Sequence, residues 1–250
     1  MLSPTQLSEF ERDGYLVLRG YYSTQRMAEI GEAIELLANL PPRIGREMVY
    51  FEDSVTDPGQ RVLSRIERFV EEDAVLADFI LRSGLTELAG ELLRAPAVLF
   101  KEKINFKRPQ GQGFAPHQDI QPGWDSYASY LISILVTVDP SNEQNGCLEL
   151  AAGHHQRGWL GERMQPLSPE QLNGVEFVKL PTTPGDIVLF DCFTPHQSAP
   201  NLTNEARRNL YLTYNRASEG DHRQKYFADK RHSFPPDAER TPGQKLQFKV

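Results

Sequence analysis

Cysteine is scarce: Cys147 and Cys192 are the only two in 250 residues. Both lie in apolar, strand-like segments, so they cannot build the disulfide framework of a small secreted scaffold. Buried thiols in a reducing compartment are expected instead. Long apolar runs are missing too. No stretch reaches the roughly 20 residues of a spanning helix, and no basic-then-apolar leader opens the sequence, so a cytosolic protein with no membrane partner is expected. Positive charge is not in excess, with 27 Lys and Arg against 34 Asp and Glu and a net charge of −7. That balance argues against nucleic acid as a partner, because phosphate binding needs a concentrated basic face. The basic run His222, Arg223, Lys225, Lys230 and Arg231 is interrupted by Asp229 and two aromatics. It reads as a local anion pocket or a solvated segment. Repeats of fixed period and low-complexity tracts are also absent. What is present, 39% hydrophobic and 24% charged residues, suits a globular chain with a sizeable core.

In chain order, Ser3-Pro4-Thr5 followed by Leu7, Phe10 and Gly14 predicts a short capped helix, and Tyr15 to Gly20 a strand. Met27, Ile30, Ile34, Leu37 and Ala38 recur at helical spacing between Thr24 and Leu40, before Pro41-Pro42. Arg43 to Asp57 is polar and reads as an irregular loop, with 43–60 open to being a lid or a plain surface excursion. Arg61 to Phe69 fits no period. Glu71 to Leu81 and Leu85 to Leu93 read as helices broken at Ser83-Gly84. From Val98 the pattern changes to short strands, at 97–107, 129–138, 147–151, 175–179, 186–190 and 208–215. The expected fold is α+β: one domain over 1–250, mostly helical to residue 95, with a jelly-roll core over about 97–216 and a tail over 217–250.

Within that frame, Phe114-Ala115-Pro116-His117-Gln118-Asp119 carries the chemistry. In an extended backbone residues two apart share a face, so His117 and Asp119 point the same way. Such a pair alone is commonly a core or surface hydrogen bond. A second histidine, His196, follows the strand-like Gly185 to Phe190. Two imidazoles and one carboxylate form the facial triad of non-heme Fe(II) oxygenases, which leaves open positions on the metal. Downstream, Arg207 and Arg208 begin another strand, from which a guanidinium can return to the pocket and grip a carboxylate bidentately. An ordinary surface Arg-Arg pair is the alternative.

The segments "LSPTQLSEFERDGYLVLRGYYS", "INFKRP", "APHQD", "NEQNGCLELAAGHH", "TPGDIVLFDCFTPHQSAPNLTNEARR" and "LYLTYN" resemble, in order and spacing, the phytanoyl-CoA dioxygenase (PhyH) family of Fe(II)/2-oxoglutarate oxygenases. The resemblance implies a double-stranded β-helix, a cupin-like jelly roll, with helices packed outside. It implies His117, Asp119 and His196 as iron ligands, and Arg207 with Ser198 at the distal carboxylate of 2-oxoglutarate. Arg208, facing the opposite way, is the weaker anchor. Asn105 and Lys107 sit where the family lends cosubstrate or substrate contacts. The implied reaction consumes 2-oxoglutarate and dioxygen, releases succinate and carbon dioxide, and hydroxylates an unactivated carbon. Related halogenases carry a small residue in place of the carboxylate, so Asp119 predicts hydroxylation rather than chlorination. The family usually shows Gly-Ser-His where this sequence has Gly153-His154-His155. A structural role at a turn is expected for the two histidines, with a second metal site as the alternative.

The cations and tyrosines of the N-terminal loops and C-terminal stretch (Arg43, Arg46, Tyr50, Arg61, Arg65, Arg68, Lys225, Tyr226, Lys230, Arg231) suit a small anionic or zwitterionic metabolite. Any of these arginines can equally be a surface residue paired with Glu52, Glu67 or Glu71. The tail "YFADKRHSFPPDAER" and the short length are similar to bacterial family members that hydroxylate 2-aminoethylphosphonate. Hydroxylation of an amino acid, compatible solute or natural-product intermediate stands as the alternative. A non-catalytic jelly-roll binding protein and a cupin-type isomerase or hydrolase complete the alternatives; the former predicts a missing ligand or anchor, and the latter has no use for Arg207.

Overall fold

Side-chain alternation along the strands sets the layers of this molecule, whose computed structural model describes residues 1–57, 59–241 and 243. Among the described residues the strands are β1 (Tyr15–Leu18), β2 (Met48–Asp53), β3 (Arg61–Glu67), β4 (Ala97–Lys107), β5 (Phe114–His117), β6 (Leu131–Thr137), β7 (Leu148–Leu150), β8 (Val178–Leu180), β9 (Ile187–Asp191), β10 (His196–Ser198) and β11 (Arg207–Arg216). The helices are α1 (Pro4–Asp13), α2 (Thr24–Ala38), α3 (Ala74–Arg82), α4 (Leu85–Leu93) and α5 (Arg223–Ser233). The strands form a seven-stranded sheet, β1-β9-β6-β11-β4-β3-β2, and a four-stranded sheet, β5-β10-β7-β8.

On β11, Leu210 and Leu212 face one way and Tyr211 the other. The outward set joins Ile104 and Phe106 of β4, Ile132, Ile134 and Val136 of β6, and Ile187 and Leu189 of β9 in one core with the apolar faces of α1 to α4. The inward set, Leu135, Val188, Phe190 and Tyr211, meets Leu148, Leu150 and Leu180 of the smaller sheet. β6 and β9 are covered on both faces and buried along their whole length, which explains their largely apolar sequences, broken by Ser133, Thr137 and Asp191. A third cluster, including Met48, Tyr50, Phe100, Trp124, Tyr226 and Phe227, brings β2 and α5 together. This is an α+β protein with a cupin-like jelly-roll core and helices on the outer face of its larger sheet.

Local chemistry explains the helix ends. Ser3 caps α1 by accepting from the Gln6 amide, Gln6 reaches back to the Ser3 amide, and Gly14 stops the helix at φ +77°. Asp73 caps α3 through the Leu76 amide, so that helix begins later than the expected Glu71.

Several expectations are corrected. The polar stretch 43–57 contains β2, whose Met48 and Tyr50 are buried, and Arg61–Glu67 is its partner strand β3. β2 is a short apolar run, Met48 to Phe51, inside a polar stretch, and β3 places Arg65 and Glu67 on a buried face, so neither shows a clean period. Pro58, within the proposed lid 43–60, lies outside the described residues. The strand expected at 175–179 is displaced to β8. The tail from 217 holds α5; residues 244–250 lie outside the described residues. The basic run is solvated only in part, since Lys225 is exposed and pairs with Asp229. Arg223 and Lys230 are buried counterions, to Glu102 and Glu71 in the first case and Glu67 in the second. No helix among the described residues is long and apolar enough to cross a membrane. Both cysteines are free and buried, as expected.

Candidate active site

β5 and β10 pair so that His117 and His196 stand opposite each other, with ring centroids 4.2 Å apart. Asp119 follows β5 after one intervening residue. Gln118 points away, and its side-chain amide donates to the Gly158 and Phe193 carbonyls, which anchors the turn. One ligand atom from each of His117, Asp119 and His196 lies within 4.8 Å of the others, and all three residues are about 95% buried, at 5% exposure.

The tautomers follow from the backbone. Nδ1 of His117 lies 2.7 Å from the Ala115 carbonyl, and Nδ1 of His196 lies 3.0 Å from that of Thr194. Each Nδ1 therefore carries the proton and donates it, which leaves the Nε2 lone pair for a metal. Nε2 of His196 is 3.7 Å from Oδ1 of Asp119. The other carboxylate oxygen accepts from Ser133, whose hydroxyl also meets that of Thr213. Burial, then the neighbouring His196, pushes the His117 pKa down to about 3, and burial lowers that of His196. Burial alone would raise the Asp119 pKa, but His196, Lys103, His117 and the Ser133 hydrogen bond outweigh it, and the group stays ionised. Two neutral imidazoles and one carboxylate with a free oxygen match the donor set of a ferrous site.

A second end of the pocket is built by β4 and β11. Arg207 pairs in register with Lys107, and Asn209 with Asn105. The Arg207 guanidinium is buried at 2% exposure and donates from Nη2 to the Gly146 carbonyl at 2.6 Å. Asn209, with its amide oxygen turned toward it, accepts from Nη1 at 2.7 Å. Nε has no partner, and among the described residues no carboxylate pairs with this arginine. A buried guanidinium without a carboxylate is costly, so this geometry fits a ligand that brings one. Asn105 nearby keeps a buried, unpartnered Oδ1. Lys107 is already engaged: its ammonium meets the Ser198 hydroxyl at 2.7 Å and the carbonyls of Gly146 and Ala199. It therefore orients Ser198 and the Gly146 turn.

Other candidates lie elsewhere. Arg208 faces the helices, where it pairs bidentately with Asp139 and donates to the Gly31 carbonyl. His155 packs against Gly14, and His154 contacts Arg157; neither joins the ligand group. Most cations proposed for the mouth already have carboxylates: Arg43 with Glu47, Arg46 and Arg68 with Glu72, Arg61 with Asp237. Arg65 and Lys230 share Glu67. Burial would raise the Glu67 pKa, but Lys230, Lys101 and Arg65 hold it well below the usual carboxylate range. Sequence reasoning missed Ser133, Gly146, Lys101 and Lys103. Alternation from Asn105 along β4 was the available signal for the two lysines, since it places both on its face.

Residues 10–209 match the sequence profile of the phytanoyl-CoA dioxygenase (PhyH) family. A 2-aminoethylphosphonate dioxygenase from the uncultured bacterium HF130_AEPn_1 is 39% identical over 240 residues, covering 95% of this chain and 91% of that protein. A methylphosphonate hydroxylase from Gimesia maris is 35% identical over 248 residues, covering 99% and 93%. Among solved structures, EctD from S. alaskensis with 2-oxoglutarate and 5-hydroxyectoine shares the fold at a TM-score of 0.75 and 23% identity, covering 100% of this chain and 87% of that one.

Proposed function

The chain belongs to the phytanoyl-CoA dioxygenase family, and from that premise we propose that it hydroxylates a carbon of a small phosphonate, 2-aminoethylphosphonate foremost, using Fe(II), 2-oxoglutarate and dioxygen. The observation that carries this reading is the buried His117, Asp119 and His196 group together with the carboxylate-free guanidinium of Arg207. The two phosphonate-oxidising relatives support the choice of substrate.

The iron and 2-oxoglutarate supply oxidative decarboxylation of the keto acid to succinate and carbon dioxide, coupled to hydroxylation. His117 and His196 present Nε2 because their Nδ1 protons are committed to carbonyls. Asp119 is the third ligand, and Ser133 keeps one of its oxygens from swinging away. Arg207 takes the distal carboxylate of 2-oxoglutarate, with Ser198 beside it, while Asn209 and Gly146 hold the guanidinium plane. Asn105 faces the same space with its free Oδ1. Burial around the three ligands excludes bulk water from the reacting carbon.

Two measurements test this. Anaerobic titration with Fe(II) and 2-oxoglutarate should develop the weak visible charge-transfer band of the chelate, and its absence would defeat the oxygenase reading. A screen for succinate formation should respond to 2-aminoethylphosphonate or methylphosphonate. A response to amino acids or ectoine, with none to phosphonates, would replace the substrate.

A further inference from the structure

We propose that Lys101 and Lys103, at successive inward positions of β4, form the subsite for a dianionic tetrahedral head group of the substrate, with the Tyr226 hydroxyl beside them. This rests on the phosphonate reading above and locates where the phosphonate is recognised.

The strand register places the subsite. Lys101, Lys103, Asn105 and Lys107 share one face of β4, opposite Thr213, Tyr211, Asn209 and Arg207 of β11. Lys107 and Asn105 lie at the Arg207 end. At the other end Lys101 pairs with Thr213, which meets Ser133, which holds Asp119. The two lysines are thus level with the metal ligands, at the end of the β4–β11 face away from Arg207, which would hold 2-oxoglutarate.

Lys101 and Lys103 feel the carboxylates of Glu67 and Asp119 without pairing with either, and Glu67 is already bonded by Arg65 at 3.0 Å and Lys230 at 2.6 Å. Lys101 is 4% exposed, and its ammonium donates to the Tyr226 hydroxyl at 3.1 Å and lies 4.8 Å from the Trp124 ring centre. The Lys103 ammonium lies 4.8 Å from the Tyr211 ring centre and 5.9 Å from that of Phe114. Among the described residues neither lysine has a carboxylate partner. The other buried cations are accounted for: Arg223 by Glu102 and Glu71, Lys107 by three oxygens, Arg207 by the cosubstrate. Burial, then Lys101, pushes the Lys103 pKa down to about 7, a cost of crowding two ammonium groups that Asp119 and Glu67 offset only in part. A bound dianion removes that cost, and aromatic faces beside each ammonium leave its N–H donors directed at the ligand.

The test uses the full-length protein with Fe(II) and 2-oxoglutarate under anaerobic conditions, in wild type, Lys101→Gln, Lys103→Gln and Lys103→Arg. Calorimetric titration with 2-aminoethylphosphonate and, separately, inorganic phosphate reads the subsite. Each glutamine variant should weaken 2-aminoethylphosphonate about ten- to hundredfold, the loss of one charged hydrogen bond. Lys103→Arg should recover part of that, and 2-oxoglutarate affinity should change less than about twofold. Ligand-free glutamine variants should melt no lower than wild type, since each loses a charge that has no carboxylate partner among the described residues, and 2-aminoethylphosphonate should stabilise only the wild type and Lys103→Arg. Unchanged 2-aminoethylphosphonate affinity in both glutamine variants would overturn the subsite and leave the phosphonate reading intact. Wild type that ignores phosphonates but binds inorganic phosphate through these lysines would defeat the substrate reading and keep the subsite. Binding of neither by wild type would overturn both.

Discussion

Arg207 donates to the carbonyl of Gly146 at 2.6 Å, and the same oxygen receives Lys107 at 3.1 Å. Gly146 sits at φ +72°, and a Cβ there would lie 2.0 Å from the Ala199 carbonyl oxygen and 2.6 Å from the Lys107 ammonium. Only glycine lets the turn approach closely enough to orient the guanidinium from behind. The guanidinium proposed to hold the cosubstrate is therefore positioned by a backbone atom.

Gly146→Ala should accordingly separate the turn from β10 and tilt Arg207. An increase of about tenfold or more in the KM for 2-oxoglutarate is expected, with a loss of about 1–3 kcal/mol in stability from the strained φ. Steady-state kinetics against 2-oxoglutarate and urea denaturation would check both. An unchanged KM would break the link between Gly146 and Arg207.

Asp119→Ala should abolish hydroxylation, because two imidazoles alone do not complete the triad. Ser133→Ala keeps all three ligands and frees one carboxylate oxygen, so a smaller loss of about ten- to hundredfold in iron affinity or activity is expected. Undiminished succinate-coupled turnover in Asp119→Ala would contradict its assignment as a ligand.

Acid should destabilise the metal-free protein. Burial and His196 depress the folded pKa of His117 to about 3, and burial depresses that of His196. Unfolded histidine binds its proton near 6.5, so below that pH the unfolded chain takes up more protons than the folded one. Stability is then fully present above about pH 6.5 and declines as pH falls toward about 3. The depressed pKa of Asp119 adds a loss of the same sign at lower pH. Melting curves in chelator from pH 8 to pH 4 should fall by several degrees, at about 2–4 °C per kcal/mol for a chain of this size. A flat profile would show that the imidazoles titrate normally in the fold.

Glu67→Gln should be among the most damaging changes away from the metal ligands. It leaves Lys230 and Arg65 buried beside Lys101 without their shared carboxylate. A loss of about 3–5 kcal/mol is expected, read by urea denaturation. The double variant Glu67→Gln with Lys230→Met should recover part of it, and failure to do so would show that the pair is not energetically coupled.

Much of this was legible along the chain. Period-two spacing put His117 and Asp119 on one side and Gln118 on the other, although β5 ends at His117 and Asp119 lies in the turn after it, and the same rule separated Arg207 from Arg208. Cap residues such as Ser3 and Gly14 marked the helix ends because capping is local chemistry. β2 and β3 were not legible, since Tyr50, Arg65 and Glu67 mix aromatic and charged groups on a face that is buried only when α5 covers it. The basic run of α5 misled for the same reason: Arg223 and Lys230 resemble surface cations until the fold brings Glu102 and Glu67 to them.

By itself the sequence determined which side chains share a face and where helices stop, because each depends on neighbours a few positions away. Only the tertiary structure decided that His117 meets His196 across a ladder and that, among the described residues, the Arg207 Nε has no hydrogen-bond partner and Lys101 and Lys103 no carboxylate. Those are relations between strands far apart in the chain, and electrostatic balance in a buried pocket exists only after the strands that line it have paired.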